Sequence, residues 1–368
     1  MTAKFTFCFL FLFIQFNISC ISQDTIYRDS SFFKTEQTNA NSIDTFTIIG
    51  VGDMMLGSNF PSEIYLPPNN NCFALLEDVR NELLNADITF GNMEGCMSDS
   101  APLAKNCKDT TKCYAFRMPE KFATCFADAG FDMVSLANNH SGDFGDQGRR
   151  KTMELLDSLQ IGYAGLVGHE ICFVIKDSIV YGLAAFAPNK GTVSIYNYEN
   201  AKRLVKQLKD SADIVIVSFH GGAEGAKYER VTRENEEFYG ENRGNVYEFA
   251  HTMIDAGADV VFGHGPHVTR AIEVYNNKFI AYSLGNFCTW GRFNLNGPNG
   301  LAPIIKLYLD KEGNFIKGNI IPTYQDGKNG TKIDEQKRII YKLQSLTKQD
   351  FPESPIEIKD NGEIIRTK

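Results

Sequence analysis

VVFGHGPHVTRAIEVYNNKFIAYSLGNF occupies residues 260–287. A short apolar run ends at Gly263 and leads into His264 and His267, three residues apart around Gly265 and Pro266. A second apolar run ends in Ser283-Leu284-Gly285-Asn286-Phe287. Neutral imidazole is the commonest nitrogen ligand for borderline divalent metals, and a stiff Gly-Pro turn can aim both rings at one point. The same spacing alone also describes a polar turn with two solvated histidines. What precedes it in the chain decides between the two.

Upstream, one unit recurs. Order begins at Thr45, where the β-rich run TFTIIGVGDMML is broken by Gly50 and Gly52 and carries Asp53. Helical spacing over residues 72–85 is followed by the strand ADITF and then by Asn92 and Glu94. A helix from Pro119 to Gly130 precedes DMVSLA and Asn138-Asn139-His140. Residues 147–160 read as a helix, 172–176 and 181–187 as strands, and 202–209 as a helix before DIVIVSF and His220-Gly221-Gly222-Ala223-Glu224. A long helical stretch over 234–256, interrupted near Gly240 and Gly244, leads into ADVVF and His264. This alternation predicts an α/β fold whose mainly parallel sheet is covered on both faces. Asp87, Asp132, Asp213 and Asp259 each begin a strand and read as turn residues at the far edge. After Phe287 come a Gly/Asn-rich loop (289–300), a hairpin (301–309 with 314–321) and a helix over 333–346.

Ligands of open α/β sheets bind beyond the carboxyl ends of the strands. Here those ends carry Asp53, Glu94, Asn139, His140, His220, His264 and His267, which include four of the six histidines. His169, in a turn, and His251, within a helix, read as structural. Asp53, Glu94, Asn139, His220, His264 and His267 form a mixed oxygen and nitrogen set, too large for one tetrahedral zinc and suited to two neighbouring divalent ions. Three imidazoles favour Mn, Fe or Zn over Ca or Mg. His140 is then either the proton donor to a leaving group or a hydrogen-bonding support to the ligands.

Composition narrows the function further. The 368 residues, 43% hydrophobic and 22% charged, are ordinary globular material, and the formal net charge of −8 with no Lys/Arg cluster excludes a general nucleic-acid partner. Residues 1–20 differ: Lys4 precedes the apolar block FTFCFLFLFIQF, too short for a membrane span and suited to a signal-peptide core, and Cys20 follows Ser19 as in lipoprotein cleavage sites. The expected organisation is a signal peptide (1–20), a polar tether (21–44), one domain (45–346) and a loose tail (347–368). The protein is expected to be exported to the cell envelope, with membrane contact only through an N-terminal anchor, by acylation of Cys20 or not at all. Of the nine cysteines, Cys107 and Cys113 are either a local disulfide or two thiols, and Cys125, Cys172 and Cys288 read as core.

The motifs Gly52-Asp53, Asn92-Met93-Glu94, Asn138-Asn139-His140, His220 to Glu224, Gly263 to Val268 and Ser283 to Phe287 resemble, in order, those of the capsule-synthesis CapA family, over roughly residues 45–323. The resemblance implies a four-layer α/β/β/α sandwich like that of the calcineurin-like metallophosphoesterases. It implies Asp53 as first metal carboxylate, Glu94 as bridging position, Asn139 as amide ligand, His220, His264 and His267 as imidazole ligands and His140 as the acid histidine. It also implies a role in capsule or poly-γ-glutamate production, as a di-metal hydrolase or transferase on an anionic envelope or capsular polymer, with capsule-synthesis membrane subunits as further partners. A non-catalytic capsule-export accessory role and an exported phosphodiesterase or nucleotidase are the alternatives. Arg117, in a Phe-Arg-Met-Pro element, is either a bidentate partner for a substrate anion or a surface ion-pair residue. Glu224 and Asn286 are further expected substrate contacts. Two departures stand out: Met55 replaces the first-motif histidine of the phosphoesterases, and Gly221 replaces an aromatic residue.

Overall fold

The computed structural model describes residues 45–106 and 114–367. The expected signal peptide, Cys20, the tether and the Cys107/Cys113 pair lie outside them. Two sheets pack face to face. In the first, the strands Phe46–Met55, Ile88–Met93, Met133–Ser135 and Gly162–Ala164 run parallel, and Leu301–Leu309 and Phe315–Gln325 extend the sheet antiparallel on the other side of Phe46–Met55. In the second, Lys278–Ala281, Val260–His264, Ile214–His220 and Ile179–Phe186 are parallel, with antiparallel edges Ile272–Tyr275 and Ile171–Lys176.

Strands buried on both faces need continuous apolar sequence, and Ile214–His220 and Val260–His264 are buried at every residue. Between the sheets, Ile48, Phe90, Leu183, Ile216, Phe262 and Ile305 form one core, in which the Phe90 and Phe262 rings stack at 5.6 Å. Gly50 exists for this contact: a Cβ there would lie 2.4 Å from the Phe262 ring. A second core packs the helices Ala123–Asp128 and Gly145–Ser158 on the first sheet, and a third packs Tyr198–Lys209 and Val246–Asp255 on the second. The result is the α/β/β/α sandwich that the resemblance implies.

The four strand-initiating aspartates share one job. Asp87, Asp132, Asp213 and Asp259 each accept a hydrogen bond from a backbone N–H at the start of the neighbouring strand, at Thr47, Thr89, Val180 and Val215, over 2.7–2.9 Å. They pin the sheets at the edge opposite the histidines.

The structure corrects several expectations. The helix expected over 234–256 begins only at Val246, capped by Asn245; before it, Glu236–Phe238 and Glu241–Gly244 form a hairpin turned at Tyr239 (φ 51°) and Gly240 (φ 77°). Two successive left-handed residues are what a tight hairpin turn requires. The tail expected from residue 347 is instead ordered: the helix Arg338–Asp350 runs into it, and Ile356–Ile358 and Glu363–Arg366 add two strands to the first sheet. Their apolar residues alternate with charges because this is a solvated sheet edge. Cys125 is core, as read from the sequence, and is bonded there to Cys72, a pairing the sequence did not show.

That disulfide closes a 53-residue separation between the short turns at residues 73–79 and the helix Ala123–Asp128. Chain-entropy arguments assign such a loop about 4 kcal/mol. Cys72→Ala with Cys125→Ala is expected to lower the urea midpoint accordingly; an unchanged midpoint would contradict this.

Candidate metal centre and cleft

Parallel strands from both sheets end on one side. Asp53 pairs in register with Asn92 and Asn286, and His264 with His220. At Gly52 the chains approach so closely that a Cβ would sit 2.0 Å from the Gly285 carbonyl oxygen, which accepts the Asp53 N–H at 2.8 Å. The Ser-Leu-Gly-Asn-Phe motif is thus the wall against which the Asp53 turn is docked.

Asp53, Glu94 and His220, all fully buried, present ligand atoms within 4.8 Å of one another. His264 Nδ1 lies 3.4 Å from Asp53 Oδ1, and His267 Nδ1 lies 3.0 Å from Asp53 Oδ2, with its Nε2 3.5 Å from Glu94 Oε1. An amide ladder orients the carboxylate: Asn92 donates to Asp53 Oδ1 at 2.8 Å, and Asn138 donates to Asn92 Oδ1 at 3.2 Å. His267 has a left-handed backbone (φ 55°), and its carbonyl is held there by the side-chain amides of Asn286 and Asn299, each at 3.2 Å.

Buried polar atoms normally find partners. Here both Glu94 oxygens, Asn139 Oδ1 and both ring nitrogens of His220 and His264 have none within the protein. A cluster of orphaned oxygen and imidazole donors around a carboxylate fits divalent metal ions; of the residues read from the sequence as ligands, Asp53, Glu94, His220, His264 and His267 lie together and Asn139 lines the adjoining cleft. Met55 packs into the apolar core and adds no nitrogen or oxygen donor.

Charge follows geometry. Burial tends to raise the Asp53 carboxyl, but the adjoining His264 and His267 imidazoles outweigh it and hold the group well below the usual carboxylate range. Burial, with the Asp53 and Glu224 charges, pushes Glu94 well above its usual value despite His267. Burial lowers the His267 imidazole, yet the charges of Glu94 and Asp53 raise it overall, to about 10. His220 is driven well below its ordinary value by burial, so it is neutral and ready to ligate.

These directions make metal binding proton-linked. At neutral pH the metal-free cluster holds a proton on His267 that ligation must expel. The metal-free state therefore binds more protons, and apparent metal affinity rises with pH through neutrality. Each proton released strengthens affinity by up to about tenfold per pH unit. Titration calorimetry in two buffers of different ionisation enthalpy is expected to show proton release, and identical apparent enthalpies would refute it.

His140 stands at the mouth of the cluster, its Nε2 3.9 Å from Glu94 Oε1. Its Nδ1 lies 2.7 Å from Asp143 Oδ2. A carboxylate can only accept, so Nδ1 carries the proton and Nε2 faces the cluster. Burial lowers the His140 imidazole, opposed by Asp143, so the ring is neutral at rest. Asp143 is fixed in turn by the Phe116 N–H at 3.0 Å and Lys105 at 3.1 Å. This residue was missed in the sequence, where its only signal is the i,i+3 spacing from His140.

A cleft of about 660 Å³ opens from this floor, lined by Asn139, His140 and His267 and walled by Tyr114, Phe238 and Arg243. Glu224 and Asn286, the expected substrate contacts, also line it. Asn286, however, bonds chiefly to its own wall, at His267 and Asn299, and positions the histidine. Among the described residues Arg117 contacts no carboxylate and does not line the cleft. Its guanidinium donates to Asn59 at 2.7 Å and the Ala101 carbonyl and lies over the Phe144 ring. His251 is structural, as expected: its Nε2 bonds Glu273 at 2.6 Å.

Sandwich and cluster together define an α/β/β/α protein with a candidate divalent-metal site. The chain belongs to the bacterial capsule synthesis protein PGA_cap family, whose model matches residues 47–171 and 177–289. It is 28% identical over 269 residues to the capsule biosynthesis protein CapA of Bacillus anthracis, covering 66% of this chain and 60% of that one. It is 27% identical over 270 residues to the PGA biosynthesis protein CapA of Bacillus subtilis, covering 69% and 66%. The chain thus spans about six-tenths to two-thirds of the length of these relatives. Among solved structures it resembles a hypothetical protein from Thermus thermophilus (TM-score 0.46, 15% identity, 76% of this chain and 99% of that one). It also resembles a 5'-nucleotidase, described as putative, from Staphylococcus aureus (TM-score 0.41, 14% identity, 86% and 60%). Those superpositions are too loose to assign chemistry.

Proposed function

We propose that this protein is an exported, metal-dependent hydrolase or transferase of capsule or poly-γ-glutamate biosynthesis, acting on an anionic envelope polymer. The observation that carries the reading is the set of orphaned ligand atoms on Glu94, Asn139, His220 and His264 around Asp53, at the floor of an open cleft. Two divalent ions of the Mn, Fe or Zn class fit the six donors. Such ions supply Lewis-acid polarisation and an activated water. The chain's own residues do the rest. Asp53 holds negative charge at the buried floor, the amide ladder fixes its angle, and the Asp143-held His140 keeps Nε2 aimed where a proton must be taken up and returned to a leaving group. The Cys72–Cys125 disulfide suits an oxidising compartment, and an acylated Cys20 is the proposed anchor. Among the described residues no helix is long and apolar enough to cross a membrane.

An accessory role without catalysis is the second reading, favoured by a 28%-identical relative from Mycobacterium tuberculosis described as a probable polyglutamine synthesis accessory protein. Protein loaded separately with Mn, Fe and Zn and offered phosphodiester and γ-glutamyl amide substrates separates the two. Metal-dependent turnover of one class is expected. Bound metal with turnover of neither would leave the accessory role standing.

A further inference from the structure

The hairpin 236–244 is anchored more firmly than a surface loop requires. Fully buried Arg270 makes a bidentate pair with Glu236 at 2.7 and 2.8 Å and bonds the Ala223 carbonyl at 3.1 Å, while Ala223 N–H donates to Glu236 at 2.8 Å. This ties the hairpin to the loop that follows His220. A buried charge pair of this kind contributes little net stability and specifies geometry. What it positions is Arg243, at the hairpin's inner end.

Arg243 has an 8%-exposed side chain that lines the cleft. Its Nη1 lies 3.0 Å from Glu224 Oε1 and its Nη2 3.1 Å from Glu241 Oε2, yet its Nε and Nη1 make no hydrogen bond within the protein. A guanidinium so nearly buried normally has its donors filled. Glu241 is two-thirds exposed, so this pair is weak and easily displaced. Glu224, in turn, is close enough to the metal cluster for its charge to act on both Glu94 and His267.

We propose that Arg243 is the residue of the cleft that anchors a substrate carboxylate. In the resting protein Glu224 and Glu241 occupy the place that a carboxylate of the polymer takes. The planar fork matches a carboxylate bidentately, and Arg243 has carboxylates drawn to it at 3.0 and 3.1 Å while its Nε and Nη1 still lack a hydrogen bond. Seating a substrate carboxylate on Arg243 fixes the chain beside His140 and displaces Glu241 to solvent. This also answers how an acidic protein holds an acidic polymer: long-range repulsion is overcome by a buried, directed cation. The inference rests on the cleft being the substrate site, as proposed above.

The test compares binding of hexaglutamate and hexaglutamine to wild type, Arg243→Ala, Arg243→Lys and Glu241→Gln, with metal content measured in each. Wild type is expected to prefer hexaglutamate. Arg243→Ala is expected to lose that preference by about tenfold or more with hexaglutamine binding and metal content unchanged. Arg243→Lys retains only part, because a point charge lacks the fork. Glu241→Gln is expected to strengthen hexaglutamate binding up to about fivefold, which a purely structural arginine cannot produce. No preference in wild type, or a preference unaltered in Arg243→Ala, overturns the proposal. Failure of the metal reading shows separately, as absent metal in wild type.

Discussion

Asp53→Asn combined with His264→Ala is expected to abolish metal binding while leaving the fold intact. Asp53 is the carboxylate on which the cluster converges, touched by His264, His267 and Asn92, and Asn keeps its shape while removing its charge. His264 is fully buried and has no hydrogen bond of its own, so truncating it deletes a donor and gives up only its approach to Asp53 and its packing on Phe90. Anything that binds only the native state stabilises it by about 2.7 kcal/mol at a hundredfold excess over its Kd. Wild-type protein titrated with Mn, Fe or Zn is therefore expected to melt higher by several degrees. The double variant is expected to show no response. Retention of metal by the variant would remove the basis for every catalytic role argued here.

The second large effect is expected at His140. Loss of a positioned proton-transfer group typically lowers kcat about 10²–10⁴-fold. His140→Ala is expected to fall in that range with metal content unchanged, because its Nε2 stands 3.9 Å from Glu94 and is not one of the orphaned donors. Asp143→Asn should give a smaller loss by releasing the Nδ1 tautomer. Capsule or polymer output that is normal in a His140→Ala strain would instead support the accessory reading. Steady-state kinetics beside elemental analysis of the same preparations distinguishes a lost proton transfer from a lost ion.

Much of the site was legible because its physics is local. Strands buried on both faces must be continuous apolar runs, and the residue that leaves such a strand at its carboxyl end is in the site by topology alone. That logic located Asp53, Glu94, Asn139, His220, His264 and His267 without knowledge of which strands share a sheet. What stayed hidden depended on partners far away in sequence. Cys72 and Cys125 are separated by 53 residues and meet only after both pack on the first sheet. The hairpin 236–244 carries charges at helix-compatible spacing, and its turn is revealed by two left-handed residues, of which only Gly240 gives a signal in the sequence. Misreading it as helix concealed Arg243, whose importance comes from its being buried beside the cleft. Arg117 erred the other way: the residue type suits an anion, but Asn59 and Ala101 claim it first. The strands at 356–358 and 363–366 read as tail because an edge strand is half polar.

The most direct measurement is a crystal structure of protein soaked in Mn or Zn, with anomalous differences recorded at the metal edge. Strong peaks are expected between Asp53, Glu94 and His220 and at an adjacent position reached by Asn139, His264 and His267, at about 2.0–2.2 Å from their donor atoms. Density with no anomalous peak in that cluster, or metal bound only elsewhere, would contradict the account.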